Sequence, residues 1–270
     1  MHWYVKMSGK FFLTNKSGIK LECGIEMPAQ TFPNENKCPI VFIAGGRGSN
    51  AFTSKTQIAL TELFLGHNFA VFRMNFQGNG ESDGNYTHAT VSSGLEDMQT
   101  GLDYIRALTW ADQDNISLCG SSWGGGICFH MAAANSEQKF NFLILLSPEV
   151  DMKSKFERNP EIDLDAWKKN GIIKYISANG KAETRPYILY EDALNHNPWA
   201  IAKNIKIPTL IIHGDSDATI PYEQSVNLHN AIKDSALITL ANCGHTYYKC
   251  GKLDCALCAI ENWIGTLAKR

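Results

Sequence analysis

Six short apolar runs set the frame for the fold. Ile40–Ala44, Phe69–Met74, Asn115–Cys119, Phe142–Leu146, Thr209–His213 and Ala236–Leu240 are each one strand long. None approaches the roughly eighteen apolar residues that a membrane span needs. Between them the spacing turns helical. Leu95, Met98, Leu102, Ile105 and Leu108 fall three or four apart within Val91–Leu108, and helices are also expected over 54–66, Ser122–Ala134, Glu223–Ile232 and Leu253–Leu267. Strands apolar on both faces must be covered on both, and parallel neighbours need helical crossovers. A hairpin precedes them, Phe11–Asn15 and Ile19–Met27 joined by Lys16-Ser17-Gly18. The expectation is an α/β fold: a mostly parallel eight-stranded sheet with helices on both faces.

The rhythm breaks over residues 151–203, which are richer in charge and carry a hairpin signal at Ala178-Asn179-Gly180-Lys181. This stretch reads as a small cap or lid insertion, leaving 1–150 and 204–270 as the core. With 270 residues, 44% hydrophobic and 19% charged, the chain can bury a core without staples. Its 25 basic and 27 acidic residues give a net charge of −2, too little field to hold nucleic acid or an anionic membrane. Met1–Lys10 lacks the marks of a secretory signal, so a cytoplasmic protein with reduced thiols is expected. Of the eight cysteines, Cys255 and Cys258 form a lone C-x-x-C beside Cys250, where structural zinc motifs use paired units. On a helical projection Cys255 and Cys258 lie opposite the apolar stripe of Leu253, Leu257, Ile260, Ile264 and Leu267, as free thiols would. No metal and no cofactor are expected.

The sharpest chemical signal is Gly120-Ser121-Ser122-Trp123-Gly124, a G-x-S-x-G. By chance the pattern turns up in roughly one chain in ten of this size, so its context decides. Here a strand runs directly into it and a helix leaves it, the setting in which a strained turn presents a serine. A serine hydroxyl is a poor nucleophile unless a base and an orienting group stand by. Strand Thr209–His213 ends in Gly214-Asp215-Ser216-Asp217, and strand Ala236–Leu240 ends in Ala241-Asn242-Cys243-Gly244-His245. A parallel sheet places both on the same rim as Ser122. The chain order Ser122, Asp217, His245 is that of the α/β-hydrolases and differs from those of chymotrypsin and subtilisin. Asp215 is the alternative acid. The other histidines, 2, 67, 88, 130, 196, 213 and 229, lack such company and read as structural or surface residues.

Acyl transfer also needs donors for an oxyanion. Trp123 N–H, just after the serine, is one candidate, and Gly46, in the glycine-rich loop Gly45–Ser49, is the other. Arg47 is a candidate for an anionic substrate group, with a solvated side chain as the alternative. Trp167, Tyr175, Tyr190 and Trp199, with Tyr187, are candidate pocket walls or else the insertion's own small core.

The chain resembles the serine α/β-hydrolase superfamily over nearly its whole length. Phe72–Gly84 is similar to its R-x-D-x-R-G-H-G-x-S segment, Gly214–Pro221 to its G-D-x-D-x-x-V-P acid loop, and Gly244-His245 to its histidine loop. Within the superfamily the insertion and the G-N-G-E-S-D-G stretch most resemble cinnamoyl/feruloyl esterases and related acyl-hydrolases. Ala44 and Asn79 stand where many members carry loop-supporting histidines. The resemblance strengthens Asp217 over Asp215. It implies a cofactor-free serine hydrolase that cleaves a small-molecule acyl or aryl carboxylic ester through an acyl-enzyme, with the acyl and alcohol parts left open. The rivals are a thioesterase or acyltransferase with the same triad, a serine peptidase of the prolyl-oligopeptidase kind, and a non-catalytic binding module. Oligomeric state stays open.

Overall fold

In the computed structural model the described residues are 9–29, 37–134, 139–176 and 182–267. The first eight residues, the connector over 30–36 and the expected hairpin turn at 178–181 lie outside them.

The chain opens with β1 (Phe11–Thr14) and β2 (Lys20–Glu26), the expected hairpin, turned by Gly18 at φ 80°. The alternation then follows as β3 (Cys38–Ala44), α1 (Lys55–Gly66), β4 (Ala70–Met74), α2 (Val91–Ala107), β5 (Ala111–Ser121), α3 (Trp123–Ala134) and β6 (Leu143–Leu146). An excursion of small elements comes next: α4 (Met152–Glu157), α5 (Leu164–Asn170), the hairpin β7 (Ile172–Ile176) with β8 (Ala182–Pro186), α6 (Ile188–Ala193) and α7 (Pro198–Ile201). The chain closes with β9 (Thr209–Gly214), α8 (Glu223–Ala231), β10 (Ser235–Leu240) and α9 (Leu253–Leu267).

Eight strands form one sheet in the order β1-β2-β4-β3-β5-β6-β9-β10. The β1–β2 and β2–β4 pairs are antiparallel, and every pair from β4 to β10 is parallel. Period-two alternation splits the core into two layers. On one face Phe42, Phe72, Leu118 and Leu145 pack with Met98, Leu102 and Ile105 of α2, with Trp123 and Ile127 of α3, and with Leu228 of α8. On the other, Val41, Ile43, Val71, Ile144 and Ile212 meet Leu60 and Phe64 of α1 and Ile260 and Ile264 of α9. The strand ends are thereby held rigidly, and the loops beyond their carboxyl ends share one rim.

The β4 segment does structural work beyond its strand. Arg73 pairs with Glu26 and donates to Ala51 O at 2.7 Å, while Asn75 donates to Glu22 Oε2 at 2.6 Å and accepts from Ala51 N at 2.7 Å. These bonds tie the loop after β3 to the strands beside it, so the motif Phe72–Gly84 shapes the rim.

Candidate active site

Ser122 joins β5 to α3 with φ 54°, a left-handed conformation that a non-glycine residue adopts under strain. The flanking glycines make the turn possible. A Cβ on Gly120 would meet Gly124 O at 2.5 Å, and one on Gly124 would meet Gly45 O at 2.3 Å. Backbone bonds clamp the turn: Ser122 N donates to Leu146 O at 2.8 Å, and Ser122 O accepts from Gly126 N at 3.1 Å and Glu149 N at 2.9 Å.

Ser122 Oγ lies 2.9 Å from His245 Nε2, and His245 Nδ1 lies 2.7 Å from Asp217 Oδ2. Asp217 Oδ1 accepts from Thr219 N at 2.8 Å and Ile220 N at 2.9 Å. Burial alone would raise the Asp217 carboxyl. The hydrogen bonds of His213 and His245, the charge of His245 and the Ile220 N–H outweigh it and hold the group well below the usual carboxylate range. Asp215 serves the loops instead. Its Oδ1 accepts from Asn242 N at 2.8 Å, tying the acid loop to the histidine loop. A hydroxyl, an imidazole and an ionised carboxylate in this order can pass a proton from the hydroxyl to the imidazole.

Two further ties hold the histidine loop. Tyr247 O–H donates to Ile212 O at 2.8 Å and stands 3.0 Å from Ser147 Oγ. Cys243 and Cys250 are disulfide-bonded with Cα atoms 5.6 Å apart, which corrects the expectation of uniformly reduced thiols. The loop folds back on itself and brings into bonding range two residues that the linear sequence leaves unpaired. Cys255 and Cys258 are exposed free thiols, as expected, and no metal-ligating cluster occurs among the described residues.

Gly46 lies against the serine: a Cβ there would sit 3.2 Å from Ser122 Cβ and 3.6 Å from its Oγ. Asn79, standing where many superfamily members carry a histidine, holds this loop with its amide. Nδ2 donates to Gly46 O at 3.4 Å and Oδ1 accepts from Gly48 N at 3.0 Å. Arg47 lines the cleft but is tied to the protein rather than solvated. Its Nη1 donates to Tyr86 O at 3.1 Å and Ala89 O at 2.5 Å, and the guanidinium lies 5.0 Å over the Trp123 ring. It is therefore a loop tie on the cleft wall.

The rim opens into a cleft of about 1500 Å³ lined by Ser122, His245, Arg47, Glu149, Lys155, Phe156, Ile162 and Ile172, among others. Glu149 is a buried carboxylate missed in the sequence. Burial opposes its ionisation, but the charges of Lys155 and Arg47, with the Lys155 ion pair, keep it below the ordinary range. The aromatic residues expected as pocket walls behave otherwise. Trp167, 1% exposed, stacks edge-on with Phe156 at 5.0 Å and Tyr187 at 5.6 Å, and Tyr190 joins the same cluster. Trp167 Nε1–H donates to Arg185 O at 2.9 Å, and Tyr190 O–H donates to Glu157 Oε1 at 2.9 Å. They form the excursion's own core because large rings gain most by burying one another. Trp199 is exposed and donates from Nε1 to Asp151 Oδ2 at 2.9 Å, away from the cleft. The Tyr175 side chain lies outside the described residues.

His213 corrects the reading that only His245 has functional company. It is fully buried at the end of β9, with Nε2 3.1 Å from Asp217 Oδ2. Its position at a strand's carboxyl end, four residues before an acid, was the available signal.

Eight strands in this order, helices on both faces and a serine at the turn after β5 define an α/β-hydrolase fold. Residues 56–252 match the prolyl oligopeptidase family, to which this chain belongs. The mitochondrial palmitoyl-protein thioesterase ABHD10 of Rattus norvegicus is 24% identical over 90% of this chain and 81% of its own length. The uncharacterized protein YfhR of Escherichia coli K12 is 26% identical over 84% of this chain and 69% of its own. Among solved structures, Est1E from Butyrivibrio proteoclasticus with bound ferulic acid superposes with a TM-score of 0.82. That match has 23% identity and covers 96% of this chain and 100% of Est1E. ABHD10 from mouse gives a TM-score of 0.78 at 22% identity, covering 96% and 99% of the two chains. Among the described residues no helix is long and apolar enough to cross a membrane.

Proposed function

We propose that this chain is a serine hydrolase of small acyl or aryl carboxylic esters. Ser122 attacks the carbonyl, His245 takes its proton and returns it to the leaving alcohol, and Asp217 fixes the imidazole tautomer and stabilises its charged form. Gly46 N–H and Trp123 N–H hold the oxyanion, and water activated by His245 releases the acyl group. Residues 151–203 form the cap of the site. The observation that carries this reading is the continuous chain from Ser122 Oγ through His245 to Asp217, at 2.9 and 2.7 Å, opening on the large cleft.

The cleft mixes apolar Phe156, Ile162 and Ile172 with charged Arg47, Glu149 and Lys155, which suits an acyl or aryl group with a polar end. Ferulic acid bound to Est1E supports an aromatic acyl group by likeness of fold. The rat relative's name favours one second reading, thioester cleavage by the same residues.

Purified protein is to be assayed on p-nitrophenyl esters of increasing acyl length, a feruloyl ester, an acyl thioester and a peptide p-nitroanilide. Ester turnover that disappears in Ser122→Ala, with the unfolding transition unchanged, is the expected result. Preference for the thioester or the anilide would replace ester with that substrate. Wild-type turnover in Ser122→Ala would end the assignment.

A further inference from the structure

Asp217 Oδ2 receives two imidazoles. His245 Nδ1 approaches at 2.7 Å and His213 Nε2 at 3.1 Å, and the His213 and Asp217 side chains have no exposed surface. His213 Nε2 also lies 3.2 Å from Ile220 O. A carboxylate and a carbonyl only accept, so Nε2 must carry the proton. A neutral imidazole then accepts at Nδ1 from Ser225 O–H at 2.6 Å. The Tyr222 ring packs edge-on against the imidazole at 5.7 Å.

Each anchor of this ring belongs to a different piece of structure. His213 is the last residue but one of β9, Ser225 lies in α8, and Ile220 belongs to the loop that carries Asp217. The Oδ1 bonds come from Thr219 and Ile220, inside that same loop, so they move with it. Among the described residues, His213 is what restrains the carboxylate from the rigid sheet, and it does so at the oxygen that faces His245.

On the reading that Ser122, His245 and Asp217 carry the reaction, we infer that His213 is a positioning residue. It fixes Asp217 Oδ2 toward His245 from the end of β9, with Ser225 locking the tautomer that makes it a donor. The ring touches neither Ser122 nor the cleft, so its effect on turnover passes entirely through Asp217. A carboxylate free to swing would misplace His245 by a fraction of an ångström, and misplacement of about 1 Å can cost on the order of 100-fold in rate.

Three variants test this on an ester that the wild-type protein turns over, beside Ser122→Ala, with folding followed by unfolding transitions. His213→Leu removes the donor. His213→Gln places an amide N–H where Nε2 stands, and Ser225→Ala removes the lock. The expected loss in kcat for His213→Leu is about 10- to 100-fold with KM within about twofold, because acylation and deacylation both use His245. His213→Gln should return to within about fivefold of wild type, and Ser225→Ala should lose about threefold. Wild-type kcat in His213→Leu, or equal losses in the Leu and Gln variants, would overturn the inference. If His213→Leu does not fold, wild-type kcat in Ser225→Ala does the same. Either result with an inert Ser122→Ala rejects only the role of His213, whereas an active Ser122→Ala rejects the hydrolase reading itself.

Discussion

Ser122 holds a left-handed backbone that costs an ordinary residue roughly 1–2 kcal/mol, and it does so because β6, α3 and two close-packed glycines leave no alternative. The strain lifts its hydroxyl clear of the sheet toward His245. The acid opposite depends on charge more than on shape. Asp217→Asn keeps the volume but offers an amide where the imidazole N–H needs an anion, so the tautomer is lost. Turnover of an ester substrate in that variant is expected to fall by about 10³- to 10⁴-fold with the fold intact. A loss below tenfold would argue that another group orients His245. That Ser122, Asp217 and His245 would meet was legible from strand ends and chain order. His213 was less so: its place near a strand's carboxyl end, four residues before an acid, was a signal, but it did not say which side chain the imidazole would meet. Arg47 was illegible for a related reason, since its acceptors Tyr86 and Ala89 are backbone carbonyls some forty positions away.

The loop after β10 places His245 inside a ring closed by Cys243 and Cys250. Closing so short a loop stabilises the folded state by about 2–3 kcal/mol in the chain-entropy account. Reduction under native conditions is expected to lower the thermal midpoint and the activity together. Alkylation followed by mass measurement should find six reactive cysteines before reduction and eight after it, in unfolded protein. Eight before reduction would show the bond to be absent in the isolated protein. At this scale the sequence was explicit about regular elements. The strand and helix positions agree within a few residues, because hydrophobic period and glycine breaks are local signals. The elements of 151–203 were less legible. Helices α4, α6 and α7 span four to six residues each, too few turns for a periodicity to emerge.

Across the molecule, stability should follow pH through buried groups outside the site. His130, a buried residue of α3 with Nε2 3.2 Å from Val150 O and its ring 5.5 Å from the His196 ring, is lowered to about 4, chiefly by burial and then by His196. Its neutral form is favoured in the fold. The stability this contributes is complete above the unfolded value near 6.5 and is lost as pH falls toward 4, to an extent of roughly 3 kcal/mol. Asp97 works with opposite sign. Burial raises it to about 6 against the Gln77 and Asn15 hydrogen bonds, so it favours the fold more as pH falls from 6 toward 4. Urea unfolding at pH 7 and pH 5 should therefore show a smaller acid loss in His130→Gln than in wild type, by roughly 2 kcal/mol. An identical loss in both would remove His130 from the account.

Two kinds of information divided the determination of this protein. Alternation of strand-length runs with helical spacing, G-x-S-x-G between a strand and a helix, and an acid and a histidine beyond later strands determined the architecture and the rim on which Ser122, Asp217 and His245 meet. Each is a short-range pattern that a parallel sheet converts into a common edge. Tertiary structure alone decided the second histidine on Asp217, the Cys243–Cys250 bond, the Arg47 tie and the aromatic cluster around Trp167. These contacts depend on how loops close and side chains compete for burial once the sheet exists, and a periodic signal carries no record of that competition.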